Sequence, residues 1–394
     1  MDEALPLGRA ARTLWSLRDD ASLLNHGSYG AVPRAVQAAH QALREELERH
    51  PDAFMARIKP DGVDAAIRGV AADLAPFVGL KPEALAIVES ATQGLQSALG
   101  SVELRAGDEI LVTDHQYNAV RLAVESRARA TGATVRLITL PVPTTADDIV
   151  ERVLAGVGAR TRLVIIDHLT SPTALLMPLD RLLPEFRRRE IPVLVDGAHT
   201  LGQVPLDLAA LDADWYVTNA HKWLYAPRGS ALLAASPRVR ASTRPLIVSH
   251  HVELGFPGSF DYVGTRDYTA WMSMPSALAF HRSLGFERLH AHNSRLIDIG
   301  SEALQSAGAA PVVPRELCAW MRAFVLPQQR AATAGDAEAT LRNLWERERI
   351  QIRCAVVDER LLLRFCAQAY VDVDEPARLG EALARQGWPG RTSR

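Results

Sequence analysis

The stretch Asp214–Gly229, DWYVTNAHKWLYAPRG, decides how the chain folds. Trp215, Tyr216 and Val217 make an apolar, β-rich run that stops at Thr218 and Asn219 and delivers His221 and Lys222 into a segment closed by Pro227 and Gly229. A lysine so placed is not snorkelling from an open helix face. Upstream, Ile191–Asp207 reads IPVLVDGAHTLGQVPLD: the short apolar strand Val193–Val195 ends in Asp196, and His199 follows. In an open α/β sheet, ligands bind beyond the carboxyl ends of the strands, so an Asp and a Lys released from two strand ends meet at one ligand.

That pair suits pyridoxal 5'-phosphate, which needs a lysine for covalent attachment and a carboxylate to keep its ring nitrogen protonated. The elements DGAH (Asp196–His199) and AHKW (Ala220–Trp223), with NHGSYG (Asn25–Gly30) near the start, resemble class V aminotransferase-fold enzymes. The nearest group is the isopenicillin N epimerase-like branch, related to cysteine desulfurases and C–S lyases, and the resemblance runs from about Asn25 to Tyr370. It implies fold type I, the aspartate aminotransferase-like α/β architecture: a large, mostly parallel sheet domain and a smaller α+β C-terminal domain. The expected division is an N-terminal segment, 1–30, packing on the small domain, a large cofactor-binding domain, 31–284, and the small domain, 285–394.

Composition sets the class. At 394 residues, with 48% apolar and 23% charged residues, the chain can bury one large core and a smaller one. A net charge of −2 gives no electrostatic reason to expect nucleic acid or an anionic membrane as partner. The start, MDEALPLGRAARTLW, is acidic where a secretory signal is basic, and no run reaches membrane-span length. Three cysteines without CxxC or metal spacing point to a reducing compartment, no disulfide framework and no metal, and the expected location is cytoplasmic.

Along the chain, Pro33 opens an amphipathic helix through Ala38, Leu43 and Leu47, and a second helix spans about Val63 to Phe77. Strands then alternate with helices: strands at Ala84–Val88, Glu109–Thr113, Val135–Leu140, Leu163–Asp167, Val193–Val195, Trp215–Thr218 and Ala231–Ala234, with helices at Gln93–Val102, Ala119–Ala130, Ile149–Gly156 and Leu179–Arg189. Helices Tyr268–Ser283 and Phe286–Ala307 bridge to a smaller α+β region. Its strands are Ala319–Leu326, Gln351–Val357 and Leu361–Phe365, and its helices Ala337–Arg349 and Glu375–Gln386.

Candidate site residues fall just after the strands. Ser90–Gly94 lies between a strand and a helix, where free N–H groups favour an anion, although Ser90 or Thr92 could simply cap the helix. Beside the Asp–Lys pair, the resemblance makes Ala91, Thr92 and Gln93 the phosphate turn. It gives His115 a place stacked on the pyridine ring, with Tyr117 close by. Relatives set an asparagine against the ring hydroxyl where this chain offers Ser171. His199 is expected at the ring oxygen or behind Asp196, and Thr218 and His221 at the phosphate. Lys222 would carry the cofactor and act as the base at the substrate Cα, helped by a pKa that burial depresses. Thr265, in Gly264-Thr265-Arg266, resembles a threonine that reaches the phosphate held by the other subunit, which implies a homodimer with a shared site, although it could also cap a helix. Arg364 sits where relatives grip the substrate α-carboxylate, a match for the two-pronged guanidinium. Asn25, His26 and Gly27 are expected at the mouth of the site, in contact with a small amino-acid substrate.

The resemblance leaves several outcomes open. A desulfurase needs a thiolate on a mobile loop, but here only Asp358-Glu359-Arg360 joins the two strands, and Cys318, Cys354 and Cys366 lie in or beside strands. The first reading is therefore a lyase that cleaves the C–S bond of an S-substituted cysteine by β-elimination, as in a biosynthetic pathway such as that of a sulfur-containing antibiotic. The alternatives are an isopenicillin N-type epimerase, with Tyr117 or His115 as the second acid, and a decarboxylative deaminase or aminotransferase. A non-catalytic scaffold on the same fold is a further alternative, but it would have no need of Asp196, Lys222 and Arg364 together.

Overall fold

Strands apolar on both faces have to be covered on both sides, and the alternation of the large sheet shows how. In the computed structural model, which describes residues 5–60 and 65–386, seven strands form it: β1 (Leu85–Val88), β2 (Glu109–Thr113), β3 (Thr134–Ile138), β4 (Thr161–Asp167), β5 (Val193–Asp196), β6 (Trp215–Asn219) and β7 (Ala231–Ala235). Their order is β1-β7-β6-β5-β4-β2-β3, parallel throughout except for β7, which runs antiparallel to both neighbours. Leu85, Ile87, Leu111, Val164, Val195 and Tyr216 face one core; Ala86, Val88, Ile110, Ile165, Leu194 and Val217 face the other.

Helices close both faces. α1 (Arg34–Arg49) lies near the N-terminus, and α2 (Ala91–Gly100) and α3 (Asn118–Thr131) cover the second core. On the first core lie α4 (Ala146–Ala155), α5 (Leu179–Arg188), α6 (Met274–Leu284) and α7 (Phe286–Ser306). Pro275 sits in the first turn of α6, and a separate short helix, Thr269–Met272, precedes it, so the expected continuous helix Tyr268–Ser283 is broken at Ser273. The expected start of the second helix at Val63 lies outside the described residues; that helix is seen from Ala66.

Beyond α7, strands β8 (Ala310–Pro311), β9 (Met321–Val325), β10 (Arg353–Val357) and β11 (Arg360–Cys366) form an antiparallel sheet in the order β10-β11-β9-β8, flanked by α8 (Ala334–Glu348) and α9 (Asp374–Gln386). β10 and β11 meet in a hairpin whose two loop residues, Asp358 and Glu359, have φ of 49° and 57°. Two left-handed residues give the tightest hairpin turn, leaving no room for a loop. The N-terminal segment is tied to this region: Ser22–Leu23 pairs in parallel with Ile350–Gln351, Gly8 N–H donates to Ala369 at 2.7 Å, and Arg12 meets Glu375 at 2.6 Å.

Candidate active site

At the carboxyl edge of the large sheet, β1 leads into α2, β4 ends in Asp167, β5 ends in Asp196, and β6 runs into Asn219, Ala220, His221 and Lys222. These ends converge on a cavity of about 160 Å³ lined by Ser90, Ala91, Thr92, Asp167, Asp196, His199, Asn219, His221 and Lys222, with Ser28, Tyr29, Tyr117 and Ser171 across from them.

Two close approaches hold the lysine segment. Gly202 has φ +89°, and a Cβ there would stand 2.6 Å from the Trp223 carbonyl oxygen, so glycine lets the DGAH loop lie against the chain that follows Lys222. Gly30 has φ +67°, and a Cβ would overlap the His221 carbonyl oxygen, so the N-terminal NHGSYG turn wedges against the same chain from the other side. His26 locks it further: its Nε2–H donates to the Lys222 carbonyl at 2.9 Å, and the Tyr370 hydroxyl donates to Nδ1 at 3.0 Å.

Electrostatics follow from burial. Lys222 Nζ lies 3.0 Å from His199 Nε2, and burial, with Arg364 adding to it and Asp196 opposing, brings the amine down to about 7. His199 is held well below its usual value by burial and then by Lys222, so neutral imidazole accepts from the amine. Its Nδ1 is buried without a partner. Burial likewise lowers His221 to about 4, with Nδ1 3.2 Å from the Ser230 carbonyl. Asp196 is raised by burial, but the Ala198 N–H at 2.9 Å and Lys222 favour its charged form.

The N-terminus of α2 forms the opposite wall. Ser90 caps it, accepting from Gln93 N–H at 3.2 Å, and the Ala91 N–H donates to Asn219 Oδ1 at 2.8 Å. Gln93 turns its carboxamide back to Glu89 N–H at 2.6 Å, so Thr92 and His221 are the side chains left facing an anion at this end.

Arg364, on β11, is fully buried. Nη1 donates to the Ser171 carbonyl at 2.5 Å and its hydroxyl at 3.3 Å; Nη2 donates to Asn25 Oδ1 at 3.1 Å and Ser28 Oγ at 3.3 Å. Nε has no hydrogen-bond partner, and the Cys366 thiol is a neighbour.

Of the residues expected from sequence, the structure brings Asp196, Lys222, His199, His221, Ala91, Thr92, Ser171 and Tyr117 to the cavity, and Asn25 joins through Arg364. Ser171 serves the guanidinium, not an open position. His115 is turned away: Thr173 Oγ donates to Nδ1 at 2.9 Å and Nε2 reaches the Leu140 carbonyl at 3.2 Å, so the ring exposed on that side is Tyr117, 48% accessible. The Thr218 hydroxyl is spent on the Gly197 carbonyl at 2.6 Å, beneath the DGAH turn. His26 stands behind Lys222, and Gly27 packs on Met321, Cys366 and Trp223. Thr265 is exposed, on a turn tied by Arg266 to Glu89.

Sequence reasoning missed Asn219, Asp167, Ser28 and Tyr29. Asn219 ends β6 just before the AHKW run, and Ser28 and Tyr29 belong to the NHGSYG turn already singled out. A cleft of about 940 Å³ opens beside the cavity, with Tyr29, 72% exposed, as the wall common to both. The lysine and aspartates line the smaller space, and the chemistry belongs there.

A strand-end lysine, a strand-end carboxylate and a helix N-terminus in one cavity, with a buried arginine bonded to Ser28 and Ser171 of its wall, define a pyridoxal phosphate site of fold type I. The family model for aminotransferase class-V matches residues 36–323, and the chain belongs to that family. It is 35% identical to an isopenicillin N epimerase of Amycolatopsis lactamdurans over 95% of this chain and 97% of the relative. It is 29% identical to a probable chloroplastic L-cysteine desulfhydrase of Arabidopsis thaliana over 84% of this chain and 74% of that one. Among solved structures it resembles a cystine C–S lyase complexed with cysteine persulfide, with TM-score 0.81 and 23% identity over 93% of this chain and 98% of the other. The protein is an enzyme that uses pyridoxal 5'-phosphate. The residues present fit that group: Lys222 as attachment point, Asp196 for the ring nitrogen, Thr92 and His221 for the phosphate, and His199 with an unspent Nδ1. Among the described residues no helix is long and apolar enough to cross a membrane, and no cluster of His, Cys, Asp or Glu could hold a metal.

Proposed function

We propose that the enzyme cleaves the Cβ–S bond of cysteine or an S-substituted cysteine, releasing a thiol, pyruvate and ammonia with uptake of one water. The observation that carries this reading is the combination of a lysine amine of lowered pKa in the cavity and a buried arginine against its wall, with no thiolate to take up sulfur. Burial raises Cys318 to about 11 and Cys354 to about 12, and raises Cys366 as well, so all three are thiols at neutral pH. The turn between β10 and β11 has two residues, too few to carry a mobile sulfur-accepting thiolate.

Bound in the cavity, pyridoxal phosphate supplies the electron sink that makes the substrate Cα–H acidic. Arg364 is the group for the substrate carboxylate, its guanidinium held in place by Asn25, Ser28 and Ser171. Lys222, its amine brought down to about 7 by burial, takes the Cα proton in its neutral form, and the thiolate leaves from Cβ. His199 orients the amine through the 3.0 Å contact. Tyr29 and the exposed cleft beyond it leave space for the substituent on sulfur.

A second reading, amino-acid epimerisation, is favoured by the 35% identity to an isopenicillin N epimerase and by Tyr117, whose phenol lines the cavity and could return a proton. Incubation with a cysteine thioether in heavy water separates the two. Free thiol with pyruvate supports cleavage; solvent deuterium at Cα without thiol overturns it in favour of epimerisation. We also infer a homodimer with a shared site, supported by exposed Thr265 and by Leu246, Ile247, Val248 and Leu254, apolar side chains left in water on one chain. Sedimentation of the holoenzyme as a monomer would remove that inference.

A further inference from the structure

The base of the cavity holds a second carboxyl group that the chemistry above does not use. Asp167 is the last residue of β4 and Asp196 the last of β5, and the two are paired in register across adjacent parallel strands. Neighbouring strands lie about 4.8 Å apart. Both side chains therefore leave the same face side by side, both are buried, and both line the cavity. Their surroundings differ. Asp196 accepts the Ala198 N–H at 2.9 Å and feels the Lys222 amine, whereas Asp167 Oδ2 is buried with no hydrogen-bond partner. The cationic side chains near the site are engaged elsewhere: Arg364 with Asn25, Ser28 and Ser171, and Lys222 with His199. His168, next in the chain, is lowered to about 4 by burial and bonded through Nδ1 to the Tyr216 hydroxyl at 2.8 Å, so it offers Asp167 no charge.

We propose that Asp167 is a proton-holding carboxylic acid that keeps the Asp167–Asp196 pair at a single negative charge, confines that charge to Asp196, and thereby positions the carboxylate that holds the cofactor ring nitrogen. Two adjacent buried carboxyls do not both ionise, because each pays for desolvation and for the other's charge. The better-solvated member keeps the charge. Burial first, and then Asp196, drive Asp167 well above the usual carboxylate range. As an acid, Asp167 has an O–H to donate where a carboxylate could only accept. The role is one of positioning and holds whichever bond the enzyme breaks.

The test compares holoenzyme with Asp167→Asn, Asp167→Leu and Asp196→Asn. Infrared difference spectra of wild type against Asp167→Asn at pH 7 should show a protonated-carboxyl C=O band that moves in heavy water and is absent from the variant. Asp167→Asn keeps a neutral donor of the same shape, so its dissociation constant for pyridoxal phosphate and the pH of its visible-band transition should stay within about threefold and within half a unit, roughly, of wild type. Asp167→Leu should bind about tenfold more weakly and shift that transition. Asp196→Asn should do so more strongly than either. No protonated-carboxyl band, or an Asp167→Asn that loses cofactor as severely as Asp196→Asn, would show that Asp167 carries the charge and overturn the proposal. Should the leucine variant fail to fold, the infrared band and the asparagine variant still decide it.

Discussion

Replacing Arg364 with lysine keeps the charge and removes the fork. In the native site Nη1 and Nη2 are braced by Ser171, Asn25 and Ser28, contributed by two separate segments, and Nε is left without a partner. An ammonium has three donors on a flexible stem and cannot satisfy these oxygens and also present two parallel N–H groups to a carboxylate. Removing one partner of a buried, charge-assisted pair costs about 2–4 kcal/mol, which corresponds to roughly 30- to 1000-fold in kcat/KM. The loss should fall chiefly on KM, because the carboxylate is gripped before and throughout the reaction. Steady-state thiol release from a cysteine thioether measures it, with the matching amine that lacks a carboxylate as control. Wild type and variant should turn over the amine equally slowly. Asn25→Ala removes one brace and leaves the fork, so its cost should be smaller, about 0.5–1.5 kcal/mol. A loss below about threefold in Arg364→Lys, or an equal loss on the amine, would refute the assignment.

Three further outcomes follow from the same geometry. Because burial brings the Lys222 amine down to about 7, capture of pyridoxal phosphate by the coenzyme-free protein should be pH-independent well above pH 7 and fall about tenfold per unit well below it; a stopped-flow profile breaking near pH 10 would contradict this. Gly30→Ala should destabilise the fold by about 2–4 kcal/mol, read as a lower denaturant midpoint, since the methyl meets the His221 carbonyl at a left-handed φ; an unchanged midpoint would mean that the wedge is not tight. Serine at Cys318, Cys354 and Cys366 together should leave the rate of thiol release within about fivefold of wild type, because each substitution costs only a buried sulfur contact; abolished release would put a cysteine in the chemistry.

The strand ends were legible in the sequence because each buried strand stops in polar residues where the backbone leaves the sheet. Glu109–Thr113 and the endings at Asp167 and Asp196 are read from apolar runs alone. The break before α6 was missed, although Pro275 marks it. The interruption at Ile352 was not legible. There the chain leaves its pairing with Ser22–Leu23, a partner distant in sequence, and enters the local hairpin with β11. The same holds for individual site residues. Whether His115 or Tyr117 turns into the cavity depends on the Leu140 carbonyl and Thr173, and whether the Thr218 hydroxyl is free depends on the Gly197 carbonyl; no local pattern contains these partners.

The charge state of the cavity ties these observations together. Burial lowers the amine and the imidazoles lining it: Lys222 falls to about 7, His221 to about 4, and His199 is held well below its usual value. Arg364 alone among the basic groups stays charged whatever its surroundings. On the proposed function the ligands bring the opposite sign, a phosphate near Thr92 and His221 and a carboxylate at Arg364. A nearby anion stabilises the protonated form of a neighbouring base, so phosphate raises the pKa of His221, whereas a substrate carboxylate bound at Arg364 offsets the positive field that helps hold Lys222 down. Substrate binding thus makes the amine a stronger base at the moment a Cα proton has to be removed. The amine need not be a strong base beforehand, when a charged ammonium could not attack the cofactor aldehyde. One lysine can therefore serve first as nucleophile and then as base, and the group that changes its strength is the carboxylate every amino-acid substrate carries.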